Sequence, residues 1–200
     1  MSAVPLKEAL AALSFNKTGS LQVRFGGIGG QGAVLLGDVL GHAGALAGLR
    51  TAGSTVYGSR ARGGATRADV ILSREEIDFP HVVHPQVLVS LAQEPYTINR
   101  PFLRDPGVVL YDAYHLKEGQ IEKQDTTLSV PATKDVLEEF GRGQPANFYM
   151  LGALVGLTAV VPMEPVEIAM SKRVKARFVD MNRKALRLGL EGVKKALDAR

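Results

Sequence analysis

Two stretches of this chain combine residue types and spacing suited to holding an anion. The first is Phe25-Gly26-Gly27-Ile28-Gly29-Gly30-Gln31-Gly32. Glycine tolerates φ > 0 and leaves no side chain between the backbone and an approaching group. Residues 21–25 before it read as a strand and residues 33–40 after it as a helix. A strand, a glycine turn and a helix start aim free N–H groups and the positive end of a helix dipole at one spot, which suits a phosphate. The second stretch is Tyr57-Gly58-Ser59-Arg60-Ala61-Arg62-Gly63-Gly64.

Gly27, Gly29 and Gly32 match the G-x-G-x-x-G spacing of a dinucleotide fold. That fold places an acid about 20 residues further on, to hold the ribose hydroxyls. Here no Asp or Glu occurs between Asp38 and Asp69, whereas Arg50, Arg60, Arg62 and Arg67 all do. The pattern favours a phosphate site over an NAD site. Arg50 leaves a 2′-phosphate, and so NADP, open. The plain alternative is a tight turn packed for its own sake.

No other constellation reads as catalytic. His42, His81, His84 and His115 have no metal-ligand spacing. Glu75, Glu76 and Asp78 follow a strand-like run and read as a solvated turn. No serine has a nucleophile-elbow context. There is no cysteine, which excludes disulfides, a thiolate nucleophile and a cysteine-held iron–sulfur cluster in this chain.

The elements that must position the glycine stretches follow from periodicity. Helices are expected over residues 4–13, 133–140, 147–161, 164–174 and 179–197, and a loop over 14–20. Strands are expected over 51–57, 66–73, 86–91, 107–111 and 126–130. Gly37, Gly41, Gly44 and Gly48 recur at helical spacing, letting a helix sit close to its neighbour. Strands alternating with helices, then a helical C-terminal third, indicate an α/β sheet with helices on both faces.

With 200 residues, 46% hydrophobic and 22% charged, one domain with a sizeable core fits and a second would be crowded. A net charge of +4 only mildly favours anionic partners; with 6% aromatics and no Trp there is little for bases to stack on, so nucleic acid is not expected. The N-terminus lacks a signal-peptide pattern. The longest apolar run, 148–163, is too short for a membrane span and contains Pro162. No membrane partner is expected, and the absence of disulfides agrees with a cytoplasmic setting.

Taken together, the motifs resemble the gamma subunit of 2-oxoacid:ferredoxin oxidoreductases. The resemblance rests on the glycine stretch 26–32, Tyr57-Gly58, Arg62-Gly63-Gly64, Arg67 and the Ile77-Asp78-Phe79-Pro80 turn. Further along it rests on residues 88–94, Pro131-Ala132-Thr133, Leu151-Gly152-Ala153, and a closing helix with Asn182, Ala185 and Leu186. It covers roughly residues 20–195, nearly the whole of a single domain 1–200.

The resemblance implies a three-layer α/β/α fold around a central mixed, mostly parallel sheet with a helical C-terminal third. It implies a subunit of a coenzyme A-acylating enzyme, with alpha and beta (and delta) subunits as partners and ferredoxin reached through the complex. Thiamine pyrophosphate, Mg and the Fe–S clusters would lie on those partners, and the isolated chain would be inactive. Coenzyme A contact falls to Gly27, Gly29, Gly30, Gln31, Gly32, Tyr57, Gly58, Arg60, Arg62, Gly63 and Gly64, with Arg67 adding charge. The same arginines could instead hold carboxylates of a neighbouring subunit. A stand-alone Rossmann-like NADP oxidoreductase and a purely structural subunit are the other readings.

Many relatives carry Pro-Glu after the Tyr-Gly, where this chain has Ser59-Arg60. Arg-Gly-Gly and Ile-Asp-Phe-Pro look more like the 2-oxoglutarate branch than the pyruvate branch. Branched-chain, aryl and indolepyruvate substrates stay open.

Overall fold

The structure, a computed structural model, describes residues 3–58 and 64–199. Its elements in order are α1 (Leu6–Leu13), α2 (Phe15–Thr18), β1 (Ser20–Ile28), α3 (Ala33–Leu46), β2 (Arg50–Tyr57), β3 (Ala65–Ser73), β4 (Val87–Ser90) and α4 (Gln93–Asn99). There follow β5 (Val108–Asp112), β6 (Thr126–Val130), α5 (Ala132–Phe140), α6 (Ala146–Thr158), α7 (Met163–Ser171) and α8 (Val179–Asp198). The strands form one sheet in the order β2-β3-β1-β4-β5-β6. β1, β4, β5 and β6 pair in parallel, and β3 runs antiparallel to both β1 and β2. Only β3 opposes the common direction, so the sheet is mixed and mostly parallel.

Alternation along the strands divides the apolar residues between two layers. Leu21, Val23 and Phe25 of β1, with Val70 and Leu72 of β3 and Val87 and Val89 of β4, face a large core shared with α1, α3 and α5–α8. Leu88, Val109 and Tyr111 face the other way, into a small cluster with Tyr96 of α4 and Leu116. Helices therefore lie on both faces, with a thick layer on one and a thin one on the other.

Small residues set how close the thick layer comes. A Cβ on Gly37 would lie 2.6 Å from that of Ala68, and one on Gly44 would overlap Leu72, so α3 rests almost directly on β3. Gly48 stands at φ 81° and ends the helix instead of extending that stripe. The nearly all-apolar α6 is buried from Phe148 to Val155. It crosses α8 backbone to backbone, because a Cβ on Gly152 would overlap the Leu186 carbonyl and one on Gly189 the Tyr149 carbonyl.

Three local expectations change. Residues 14–20 hold the single turn α2, closed by Gly19 at φ 67°. α6 stops at Ala159, φ 48°, rather than at residue 161; Val160 and Val161 are buried as non-helical chain before Pro162. α4 has no signal in the periodicity: it is seven residues long with Pro95 in its first turn, where the missing N–H costs nothing.

Candidate functional site

β1 leads left through α3 to β2, and the chain later enters β4 on the right of β1. The carboxyl ends of β1 and β4 therefore flank the topological switch point, where open α/β sheets form their crevice. The glycine stretch occupies that point. Gly27 lies within β1, and its hydrogen is required there: a Cβ would come 3.1 Å from Ala33 Cβ and 3.3 Å from Leu91 Cδ1. Gly30 and Gly32 take φ 97° and 85°, and a Cβ on Gly32 would overlap the Asn147 amide.

Part of the loop's hydrogen bonding is spent on holding its own shape. Gln31 Oε1 accepts from the Ile28 N–H at 2.7 Å, and Gln31 Nε2 donates to the Leu91 carbonyl at 3.0 Å. Gln31 thus ties the turn to the end of β4. The Gly29 N–H donates to the Gly64 carbonyl at 3.0 Å, joining the two glycine stretches. Among the described residues, the N–H groups of Gly30, Gly32, Ala33, Val34 and Leu35 have no protein acceptor, and Gly32 caps α3 without a side chain. These are the donors left for a ligand.

Beside them opens a cleft of about 320 Å³ lined by Gly30, Gln31, Asp112, Thr133, Gln144 and Asn147, among others. The starts of α3, α5 and α6 converge on it. Asp112, at the end of β5, is buried and fully engaged. Its carboxylate accepts from the Thr133 N–H at 3.1 Å, the Thr133 hydroxyl at 2.5 Å and the Tyr114 N–H at 3.0 Å. It orders the start of α5, with both carboxylate oxygens already accepting hydrogen bonds. His115 stands exposed at the rim against Tyr114, ring centroids 5.1 Å apart. Asp112, Thr133, Gln144 and Asn147 escape motif reading because they are scattered. The available signal was position, since Asp112 directly follows an apolar strand run and so marks its carboxyl end.

Tyr57 and Gly58 stand exposed at the end of β2, while Gly64, just before β3, is buried. Arg60, Arg62 and Gly63 lie outside the described residues. Arg67 does not join the cleft. It alternates onto the thin-layer face, where its Nε lies 3.4 Å from Asp69 Oδ2. Asp69 also takes a bidentate pair from the buried Arg24 at 2.7 and 3.0 Å. Arg50 opens β2 in register with Ser73 and hence Ser20, at the opposite end of the sheet. Eight residues of strand, roughly 26 Å, separate it from the turn. With β3 inserted between β1 and β2, the usual ribose-binding geometry has no counterpart. Glu75, Glu76 and Asp78 are exposed, as a solvated turn requires.

Residues 22–192 match the family model described as pyruvate ferredoxin/flavodoxin oxidoreductase. The 2-oxoglutarate synthase subunit KorC of Methanocaldococcus jannaschii is 38% identical over 175 residues, covering 86% of this chain and 94% of its own. The pyruvate synthase subunit PorC of Thermotoga maritima is 31% identical over 188 residues, covering 86% and 94%. The crystal structure of the gamma subunit of a keto/oxoacid ferredoxin oxidoreductase from Geobacter sulfurreducens superposes with a TM-score of 0.79 at 33% identity, covering 90% of this chain and 99% of that one. The fold, the glycine turn at the switch point and these likenesses agree: the chain belongs to the pyruvate ferredoxin/flavodoxin oxidoreductase family, as a gamma-type subunit of a 2-oxoacid:ferredoxin oxidoreductase.

Proposed function

We propose that this subunit serves the coenzyme A half-reaction of a 2-oxoglutarate:ferredoxin oxidoreductase. The overall reaction takes 2-oxoglutarate, coenzyme A and oxidised ferredoxin to succinyl-coenzyme A, carbon dioxide and reduced ferredoxin. The 2-oxoglutarate preference is supported by the higher identity to the 2-oxoglutarate synthase subunit than to the pyruvate synthase subunit. The observation that carries the coenzyme A role is the set of acceptor-free N–H groups at Gly30, Gly32 and the start of α3, beside a cleft where three helices begin. Phosphate or pyrophosphate oxygens fit such donors. Gly27, Gly29 and Gln31 hold the turn; Tyr57, Gly58 and Gly64, with Arg60, Arg62 and Gly63 outside the described residues, are assigned to the same ligand as further contacts.

The chain has no cysteine for a cluster, and among the described residues no acidic or histidine group could hold a metal. In keeping with the family resemblance, we assign thiamine pyrophosphate, Mg and the Fe–S clusters to alpha and beta (and delta) subunits of one cytoplasmic complex. No helix among the described residues is long and apolar enough to cross a membrane.

The test is steady-state kinetics of the whole complex carrying Arg60→Ala or Arg62→Ala. Loss of one charge-assisted phosphate contact, about 1.5–3 kcal/mol, raises KM for coenzyme A on the order of tenfold or more, with KM for the 2-oxoacid unchanged. An unchanged coenzyme A KM in both variants, or a complex that fails to assemble, favours the reading in which these arginines hold a neighbouring subunit.

A further inference from the structure

The two edges of the sheet are treated differently. Along β6, α1 packs against the strand, and the Thr126 hydroxyl donates to the Val4 carbonyl at 2.6 Å. Along β2, the only backbone pairing among the described residues is with β3. Its sequence, Arg-Thr-Ala-Gly-Ser-Thr-Val-Tyr, has no proline, lysine or acid, the usual devices that blunt a free edge. Three of the exposed large apolar residues lie on or beside it: Leu46 at 44% exposure, Val56 at 46% and Tyr57 at 68%.

The strand is also close to palindromic. Residues 51–55 read Thr-Ala-Gly-Ser-Thr, with matching sizes on either side of Gly53. In an antiparallel pair, directly opposed residues point to the same face. A two-fold axis through Gly53, perpendicular to the sheet, satisfies that rule. It sets Gly53 against Gly53 of the second copy, Ala52 against Ser54, Thr51 against Thr55, and Arg50 against Val56. Threonine pairs are favourable across strands, and no like charges meet. One step further, Tyr57 meets Leu49 of the second copy, on the face that carries α3 and near Leu46 at the end of that helix. The exposed apolar groups at one end of β2 thus cover those at the other.

We propose that two copies of the chain join β2 to β2, antiparallel about Gly53, so that one sheet runs through both. This inference does not depend on the coenzyme A reading: its contact runs along the strand edge and not in the cleft, and the two readings share only Tyr57, at the rim of the seam.

Sedimentation velocity of the purified full chain tests it. Wild type is expected to dimerise reversibly. Val56→Lys places a cation opposite Arg50 of the second copy and Val56→Glu a carboxylate. Both change an exposed side chain, so circular dichroism should show the fold intact. With two such pairs per dimer, Val56→Lys is expected to weaken dimerisation about tenfold relative to Val56→Glu. The double variant Arg50→Glu/Val56→Lys should restore it. Equal responses to Lys and Glu would overturn the register and with it the proposal. So would a wild-type chain that stays monomeric alone while β2 amides are protected from exchange only in the assembled enzyme, which would give the edge to a different subunit.

Discussion

Gln31 shows how a residue named for ligand contact also builds the site. Both polar ends of its side chain are taken by backbone groups, those of Ile28 and Leu91. These bonds fix the turn, and the side chain also lines the cleft. Sequence alone could not separate these roles, because a glutamine in a glycine loop looks the same whether it faces a ligand or its own backbone. Arg67 taught the opposite lesson: counting arginines near the turn ignored strand alternation, which sends it to the other face. Tyr96 carries a prediction at this scale. Burial, reinforced by the Asp125 carboxylate that accepts a hydrogen bond from the phenol at 2.7 Å, outweighs the hydrogen bond donated by the Glu122 N–H and pushes its pKa from 10.0 up to about 12. The raised value means that folding favours the neutral phenol. That stabilisation is complete below pH 10 and is lost as pH rises through about 12. Urea unfolding of wild type and Tyr96→Phe should therefore show a stability gap that narrows over this window. A gap independent of pH would place the phenol outside the coupling.

Among the elements, the strands were the most legible, because each buried one is a short apolar run between turn residues. β6 falls on residues 126–130 as expected, and β4 and β5 within a residue or so. α4 was not legible, since seven residues give periodicity too little length and Pro95 looks like a stop. The order β2-β3-β1 was equally hidden, because nothing local says that β3 will turn back between its neighbours. The α6–α8 crossing is where one atom matters most. Gly152→Ala gains up to about 1 kcal/mol of helix propensity. It must also push α8 off the Leu186 carbonyl, and overpacking of that kind costs about 3 kcal/mol, so the net effect is destabilising. A thermal melt of this variant should show a Tm several degrees lower; an unchanged Tm would mean that the helices separate freely.

For the whole molecule, the order and spacing of the motifs carried the family, and the fold then explained why they are spaced as they are. Glycine stretches 32 residues apart in the chain meet through the Gly29–Gly64 hydrogen bond at the end of the sheet. The cleft beside them draws on β5, α5 and α6, which no single motif spans, so its walls became readable only once folded. On the proposed reading, in which this subunit shapes a coenzyme A cleft while others hold the redox groups, the chain acts only in their company. The most direct test is to purify the enzyme from its native host through a tag on this chain and to measure ferredoxin reduction with a panel of 2-oxoacids, with and without coenzyme A. The account predicts co-purifying thiamine and iron–sulfur subunits, and a coenzyme A-dependent rate with 2-oxoglutarate well above that with pyruvate. A chain that comes alone with a bound nucleotide, or a complex that prefers pyruvate or ignores coenzyme A, would contradict it.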